Sequence, residues 1–239
     1  HIKLLSESKK YFLVGVYDPN LEESKIISKK FNCTHFKNFN ELLDNIDVLD
    51  IVTPTPFHFE YAELAINKKK HVFIEKPVCS NTNESNKLIE LSSSKNVKIQ
   101  VGHVERFNPA FVEARKQIQK PRFIEVHRLA QFNTRGTDVS VILDLMIHDL
   151  DIIMALNKSP IKSIYANGAS VLTNKTDIAN ARITFKDDCV CNLSASRISE
   201  KLERKIRIFQ KNSYFSLDFQ KCELDSYSCL LYTSPSPRD

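Results

Sequence analysis

The chain has 239 residues and a mass of 27.5 kDa, 42% of them apolar and 26% charged, an ordinary soluble composition for one large domain or two small ones. Its 34 Lys and Arg against 29 Asp and Glu leave a net charge of +5, too small and too dispersed for a nucleic-acid surface without a clustered basic face. No uninterrupted apolar run approaches the roughly 20 residues of a membrane-spanning helix, which argues against a membrane protein.

In chain order, the sequence opens on His1 rather than Met with a helical pattern (Ile2, Leu4, Leu5) already under way, as expected of an element that has been cut. Residues 12–17 predict a short apolar strand, and 20–31 a helix with Leu21, Ile26, Ile27 and Phe31 apolar among charges. A strand over 48–52, a helix through Tyr61, Leu64 and Ala65, a strand over 71–74, a helix over 84–91 and a strand over 97–101 follow. Strands alternating with helices imply βαβ units and a doubly wound parallel sheet, with right-handed crossovers that place helices on both faces. After Pro121 the pattern changes. Residues 123–132 form a long β-like run, 141–156 a single apolar helix, and 164–172, 179–185, 190–195, 205–209 and 214–219 successive strands. Strands without intervening helices predict an open, largely antiparallel or mixed sheet in an α+β domain.

The expected division is therefore an α/β domain over 1–120, an α+β domain over 121–228 and a tail over 229–239. From Cys229 the chain reads Cys-Leu-Leu-Tyr-Thr-Ser-Pro-Ser-Pro-Arg-Asp, which looks like a sequencing-library adapter translated as protein, the alternative being a natural Pro/Ser tail. The six cysteines (Cys33, Cys79, Cys189, Cys191, Cys222, Cys229) form no Cys-x-x-Cys pair. Neither a zinc site nor a disulfide framework is expected, and free thiols in a cytoplasmic protein are the simplest reading.

The four glycines, Gly15, Gly102, Gly136 and Gly168, lie far apart, so no phosphate-cradling glycine loop is present in the chain. Asp18 closes the first strand in Tyr-Asp-Pro-Asn. An acidic residue at the end of the second strand of a doubly wound domain binds the adenosine ribose and favours NAD over NADP, because a 2′-phosphate would meet like charge. The alternative is an N-cap for the next helix, with Pro19 in its first turn. In Asp50-Ile-Val-Thr-Pro-Thr-Pro-Phe-His58, Thr53, Pro54 and Thr55 fall at the carboxyl edge of the sheet, where open α/β folds bind ligands. His58 either joins that edge or starts a helix facing solvent.

Glu75-Lys76-Pro77 puts a charged pair at a strand terminus, with the proline favouring an extended backbone at Lys76. Asp144 and His148 lie four residues apart in the apolar run 141–156 and so face one side of a helix. Asp149 and Asp151 also interrupt it. A satisfied ion pair or half a metal site are the alternatives, and metal is disfavoured because no second His/Cys cluster accompanies them.

Thr53-Pro54, Glu75-Lys76-Pro77, Gly102-His-Val-Glu-Arg-Phe-Asn-Pro109 and Asp144-x-x-x-His148, in that order, resemble the glucose-fructose oxidoreductase, inositol dehydrogenase and MocA-like oxidoreductase family from His1 to about Phe219. The resemblance implies a Rossmann-like N-terminal domain and a C-terminal open-sheet domain. It also implies hydride transfer between NAD and a secondary alcohol of a sugar or nucleotide-sugar. Carried over by motif, Lys76 orients the reacting hydroxyl, His148 is the general base and Asp144 holds substrate or imidazole, while Asp18, Thr53, Pro54, His58, Glu75 and Lys76 serve the cofactor. The segment 102–109 looks most like members acting on nucleotide-activated amino sugars, UDP-N-acetylglucosamine 3-dehydrogenases among them. It offers Arg106 and Asn108 for substrate hydroxyls or phosphate, or for bridging the domains. Arg128 and Arg135 are further anion candidates with structural alternatives. A non-catalytic NAD-sensing regulator of the same fold is the rival reading. Without the glycine loop the chain is expected to bind NAD weakly, and pairing of copies through the C-terminal sheet is expected from the resemblance, a solvated face being the alternative.

Overall fold

The computed structural model describes residues 1–134 and 136–228, so Arg135 and the expected tail from Cys229 lie outside the described residues. The chain forms two compact units that meet at Gly102 and His103.

In the first unit, α1 (Ile2–Ser6) precedes β1 (Gly15–Val16), α2 (Leu21–Phe31), β2 (Thr34–His35), α3 (Phe39–Asp44), β3 (Val48–Ile51), α4 (His58–Asn67), β4 (His71–Ile74), α5 (Thr82–Lys95) and β5 (Ile99–Val101). Every described strand pair is parallel, in two ladders: β1 with β2, and β3-β4-β5 with Leu49 opposite Val72 and Val72 opposite Ile99. This is the βαβ architecture the alternation predicts. At Gly15 the β1 and β2 backbones approach so closely that a Cβ would collide with the Thr34 carbonyl. Buried Leu43, Leu49, Ile51, Ala62, Ile66, Ile74 and Leu88 make the core. Asn20, Asn38 and Asn81 cap α2, α3 and α5 with their side chains, each satisfying amides that an open helix end leaves unpaired.

The second unit contains α6 (Pro109–Gln117), β6 (Pro121–Leu129), a π-helical turn over Ile142–Met146, α7 (Ile147–Leu156), and β7 (Ile161–Ala169), β8 (Ile178–Phe185), β9 (Val190–Ser196), β10 (Glu203–Gln210), β11 (Ser213–Asp218) and β12 (Glu223–Ser228). These strands form one seven-stranded sheet in the order β12-β11-β10-β6-β9-β8-β7. Only β6 with β9 is parallel; the other pairs are antiparallel. Period-two burial along β6, β8 and β9 sends Ile124, Val126, Ala181, Ile183, Cys191 and Leu193 into a core shared with Phe111 and Ala114 of α6 and Ile152 and Ile153 of α7. Because α6 belongs to this core, the stretch from His103 to Lys120, placed by sequence in the first domain, packs in the second unit.

The single apolar helix expected over 141–156 starts instead with a π turn. Its i→i+5 bonds widen the turn, so a four-residue step from Asp144 to His148 still returns near one face. No helix among the described residues is long and apolar enough to cross a membrane.

Candidate active site

The carboxyl ends of β1, β3 and β4 carry the residues expected to serve a cofactor. Asp18 follows β1, is exposed, and accepts a hydrogen bond from the Asn20 amide at 2.8 Å. The cap of α2 is Asn20 rather than Asp18, and Pro19 stands ahead of the helix. The capping alternative is thereby overturned, because the asparagine two residues on is the one whose Oδ1 reaches Glu23 N–H. After β3 the chain turns at exposed Pro54 into a 3-10 turn over Thr55–Phe57. The Thr53 hydroxyl there is buried with no hydrogen-bond partner among the described residues. A dry, unsatisfied hydroxyl is costly in a finished fold, and at a sheet's carboxyl edge it fits a bound dinucleotide.

His58 is not a surface residue. It is 1% exposed, with Nδ1 2.8 Å from the Pro77 carbonyl and Nε2 2.8 Å from the Thr53 carbonyl. The ring therefore ties the loop after β3 to the turn after β4 that carries Lys76, and a cofactor contact through its nitrogens would have to displace one of these carbonyls. Lys76 is half-buried, its amide donating to the Glu75 carboxylate at 3.1 Å. Glu75 lies against bare Gly102, where a Cβ would sit 2.8 Å from Oε1, and its Oε1 is 3.0 Å from His1 Nε2. The other nitrogen of that ring is 2.9 Å from Asp50. Burial, reinforced by the neighbouring Glu75 charge, pushes the Asp50 carboxyl up.

In the second unit, the half-buried Asp144 lies in the π turn and the half-buried His148 in the first turn of α7. Asp149 and Asp151, which interrupt the same apolar stretch, prove to be ion-pair partners. Arg128 is buried, donates from Nε and Nη2 to Asp149 at 2.8–3.0 Å, and reaches Glu105 from Nη1 at 3.1 Å. Its structural alternative is thus the one the contacts support. Arg106 forks onto Asp151 at 2.6 and 2.7 Å. Asn108 caps α6 through the Ala110 amide and donates to the Phe219 carbonyl. All of these partners lie within the second unit, not across a domain junction. A substrate contact by Arg106 would have to use the guanidinium edge that Asp151 leaves. Among the described residues no group of His, Cys, Asp and Glu is placed to hold a metal ion.

Sequence reasoning missed Gly136, which packs against Asp144, and two residues connected to its loop, Arg197 and Asp177. Gly136, at φ +84°, has its bare Cα so close to Asp144 that a Cβ would lie 2.9 Å from Oδ2. Arg197, just past β9 and 4% exposed, donates to the carbonyls of Gly136, Val139 and Thr176. Asp177 is fully buried and accepts from the amides of Val171, Leu172 and Thr173 and from the Thr173 hydroxyl. The one available signal was Gly136 itself, an isolated glycine in the loop ahead of the apolar run.

Loss of water pushes the Asp177 carboxyl up, but the three amides and the hydroxyl overcome this and hold it well below the ordinary carboxylate range. With the folded value depressed, the stability Asp177 lends is complete above the unfolded value of about 4 and is lost as pH falls toward the folded one. Asp177→Asn is therefore expected to lower the urea midpoint at neutral pH, the gap from wild type narrowing in acid. A gap that does not change with pH would contradict this.

With this geometry in hand, the comparisons with known proteins are specific. Residues 1–103 match the oxidoreductase family with an NAD-binding Rossmann fold named GFO_IDH_MocA, and residues 108–214 match the GFO/IDH/MocA C-terminal domain. The chain is 37% identical over 216 residues to the UDP-N-acetylglucosamine 3-dehydrogenase of Acidithiobacillus ferrooxidans, covering 90% of this chain and 69% of that protein. The solved structure of that enzyme superposes with a TM-score of 0.88 at 36% identity, over 95% of this chain and 74% of the other. The NAD(+)-dependent scyllo-inositol 2-dehydrogenase of Bacillus subtilis is 29% identical over 206 residues, 78% of this chain and 60% of its own length. The WlbA dehydrogenase of Bordetella pertussis, solved with NADH and UDP-GlcNAcA, has a TM-score of 0.87 over 99% of this chain and 74% of its own, and at 17% identity shares the fold alone.

The chain belongs to the GFO/IDH/MocA oxidoreductases. Its first unit is that family's NAD-binding Rossmann fold, and NAD is the cofactor it takes.

Proposed function

We propose that the protein oxidises a secondary alcohol of a nucleotide-activated amino sugar, with UDP-N-acetylglucosamine as the leading substrate and the cytoplasm as its place of work. The observation that carries this reading is the 37% identity to a UDP-N-acetylglucosamine 3-dehydrogenase over 90% of the chain. The chain keeps Lys76, Asp144 and His148, which binding alone does not require.

In this reading Asp18 and the Thr53–Pro54 edge hold the adenosine ribose and the adjoining part of the dinucleotide. When bound, NAD supplies the ring that accepts hydride. His148 takes the proton from the reacting hydroxyl as the carbon–hydrogen bond breaks, a task suited to an imidazole because its charge changes near neutral pH. Lys76 donates to the same oxygen, orienting it and stabilising its negative charge as it forms. Asp144 holds either the sugar or the imidazole.

The test is a substrate panel with the full-length protein and NAD: UDP-N-acetylglucosamine, free N-acetylglucosamine, myo-inositol and glucose 6-phosphate, read by the absorbance of NADH. Turnover on the nucleotide-sugar well above the others is expected. Turnover on inositol alone would reassign the substrate, and NADH binding with no turnover on any candidate would identify a sensor instead.

A further inference from the structure

We infer that Arg197 is a positioning residue for Asp144, acting through the loop that carries Gly136; the inference rests on the reading of Asp144 as part of the catalytic group. Among the described residues between β6 and the π turn, Gly136 and Val139 lie in no strand or helix. Carbonyls outside regular structure need other donors, and Arg197 supplies them to Gly136 and Val139. Its Nη1 donates to the Gly136 carbonyl at 2.9 Å and its Nη2 to Val139 at 2.7 Å and Thr176 at 3.3 Å. A planar guanidinium can hold divergent acceptors at fixed angles, which a lysine ammonium cannot. The cation is itself anchored. Its own amide donates to the Asp177 carbonyl at 3.0 Å, and its Nε stands 3.8 Å from the buried Asp177 carboxylate, which is pinned by three amides.

The other end of the chain of contacts is Gly136. With φ at +84° and a Cβ position only 2.9 to 3.3 Å from the three carboxyl atoms of Asp144, this residue packs its bare backbone directly against that carboxylate. Val141, the next anchored residue, donates to the Thr176 carbonyl at 2.8 Å, and Asp144 N–H donates to the Ser140 carbonyl at 2.9 Å. Asp144 is thus bounded by a loop whose shape is set by one buried arginine on the neighbouring strand end. Loosening the loop releases Gly136 from beneath the carboxylate, and adding a methyl at Gly136 pushes on it. Both perturbations meet at the same side chain.

The experiment is a double-mutant cycle in the full-length protein, with UDP-N-acetylglucosamine and NAD as the probes. Arg197→Lys and Gly136→Ala are each made alone and on Asp144→Asn. Each alone is expected to lower kcat about tenfold or more, as misplacement of a reacting-site group by a fraction of an ångström does, with the KM for NAD within about twofold of wild type. On Asp144→Asn, neither is expected to cost more than about twofold further, because the group they position has already lost its charge. Losses that multiply in full on Asp144→Asn, or wild-type kcat in a folded Arg197→Lys, would overturn the inference and leave the proposed function standing. An Asp144→Asn variant with wild-type turnover would overturn the catalytic reading of Asp144 and the inference with it. If Arg197→Lys does not fold, Gly136→Ala carries the cycle by itself, since it alters a partly exposed loop and no buried charge.

Discussion

Lys76→Ala and His148→Ala in the full-length protein are each expected to cut turnover by about a hundredfold or more, the usual scale for acid–base groups. The two substitutions should differ in character. Losing the imidazole removes the proton acceptor, so His148→Ala should regain rate as the medium becomes more alkaline and hydroxide does part of its work. Losing the ammonium removes a donor to the developing oxyanion, and Lys76→Ala should show no such recovery. The turn that carries Lys76 is held by the buried His58 ring between the Thr53 and Pro77 carbonyls, so the loop should keep its shape without the Lys76 side chain. Steady-state rates of both variants, with thermal melting to confirm folding, check this expectation. Wild-type rates in either would remove that residue from the chemistry.

The largest stability effect is expected at Arg128. Its guanidinium and the Asp149 carboxylate are each 3% exposed and share three N–H···O bonds, with Glu105 completing the network. Arg128→Ala leaves the Asp149 charge buried without its partner, and should cost about 3–5 kcal/mol. Replacing both members with leucine should recover part of that loss, because the pair's mutual attraction does little more than offset the cost of drying two charges, while Glu105 still loses its partner. Denaturant midpoints of the single and double variants decide the matter. A single substitution costing less than about 1 kcal/mol would mean that water reaches the pair. Because Asp149 immediately follows His148, the network also fixes the first turn of α7, and the singly substituted protein should lose activity before it unfolds.

The order of elements in each unit was legible because strong patterns carry it. The apolar run at 71–74 appears as β4 with the expected bounds, and the period-two runs of the second unit appear as β8 to β11 to within two residues. The places where the sequence misleads share a physical cause: a partner in space decides the outcome. Residues 12–17 look uniformly strand-like, yet only Gly15 and Val16 form a ladder, paired with Thr34 and His35, and Phe12 is 88% exposed. The strand β12 carries little apolar signal in Glu-Leu-Asp-Ser-Tyr-Ser and forms because β11 presents an edge to it. Apolar periodicity does not separate a π turn from an α turn over five residues, so the start of the 141–156 run was read as ordinary helix.

For the proposed site, sequence singles out the motif residues but not the residues packed around them. Lys76, Asp144 and His148 stand out because charges interrupt apolar runs. Asp149 and Asp151 look as promising as Asp144 in sequence, and both are held by arginines in the structure. Arg197 has no sequence signature at all. Its contacts are with three carbonyls on segments 21 to 61 positions away, long-range contacts that periodicity arguments never see.

The most direct test of the central claim is a crystal structure of the full-length protein with NADH and UDP-N-acetylglucosamine bound. The account predicts one sugar hydroxyl within about 3 Å of both the Lys76 Nζ and a His148 ring nitrogen, with Asp144 hydrogen-bonded to the sugar or to that ring. A sugar ring bound with its hydroxyls out of reach of Lys76 and His148 would contradict it.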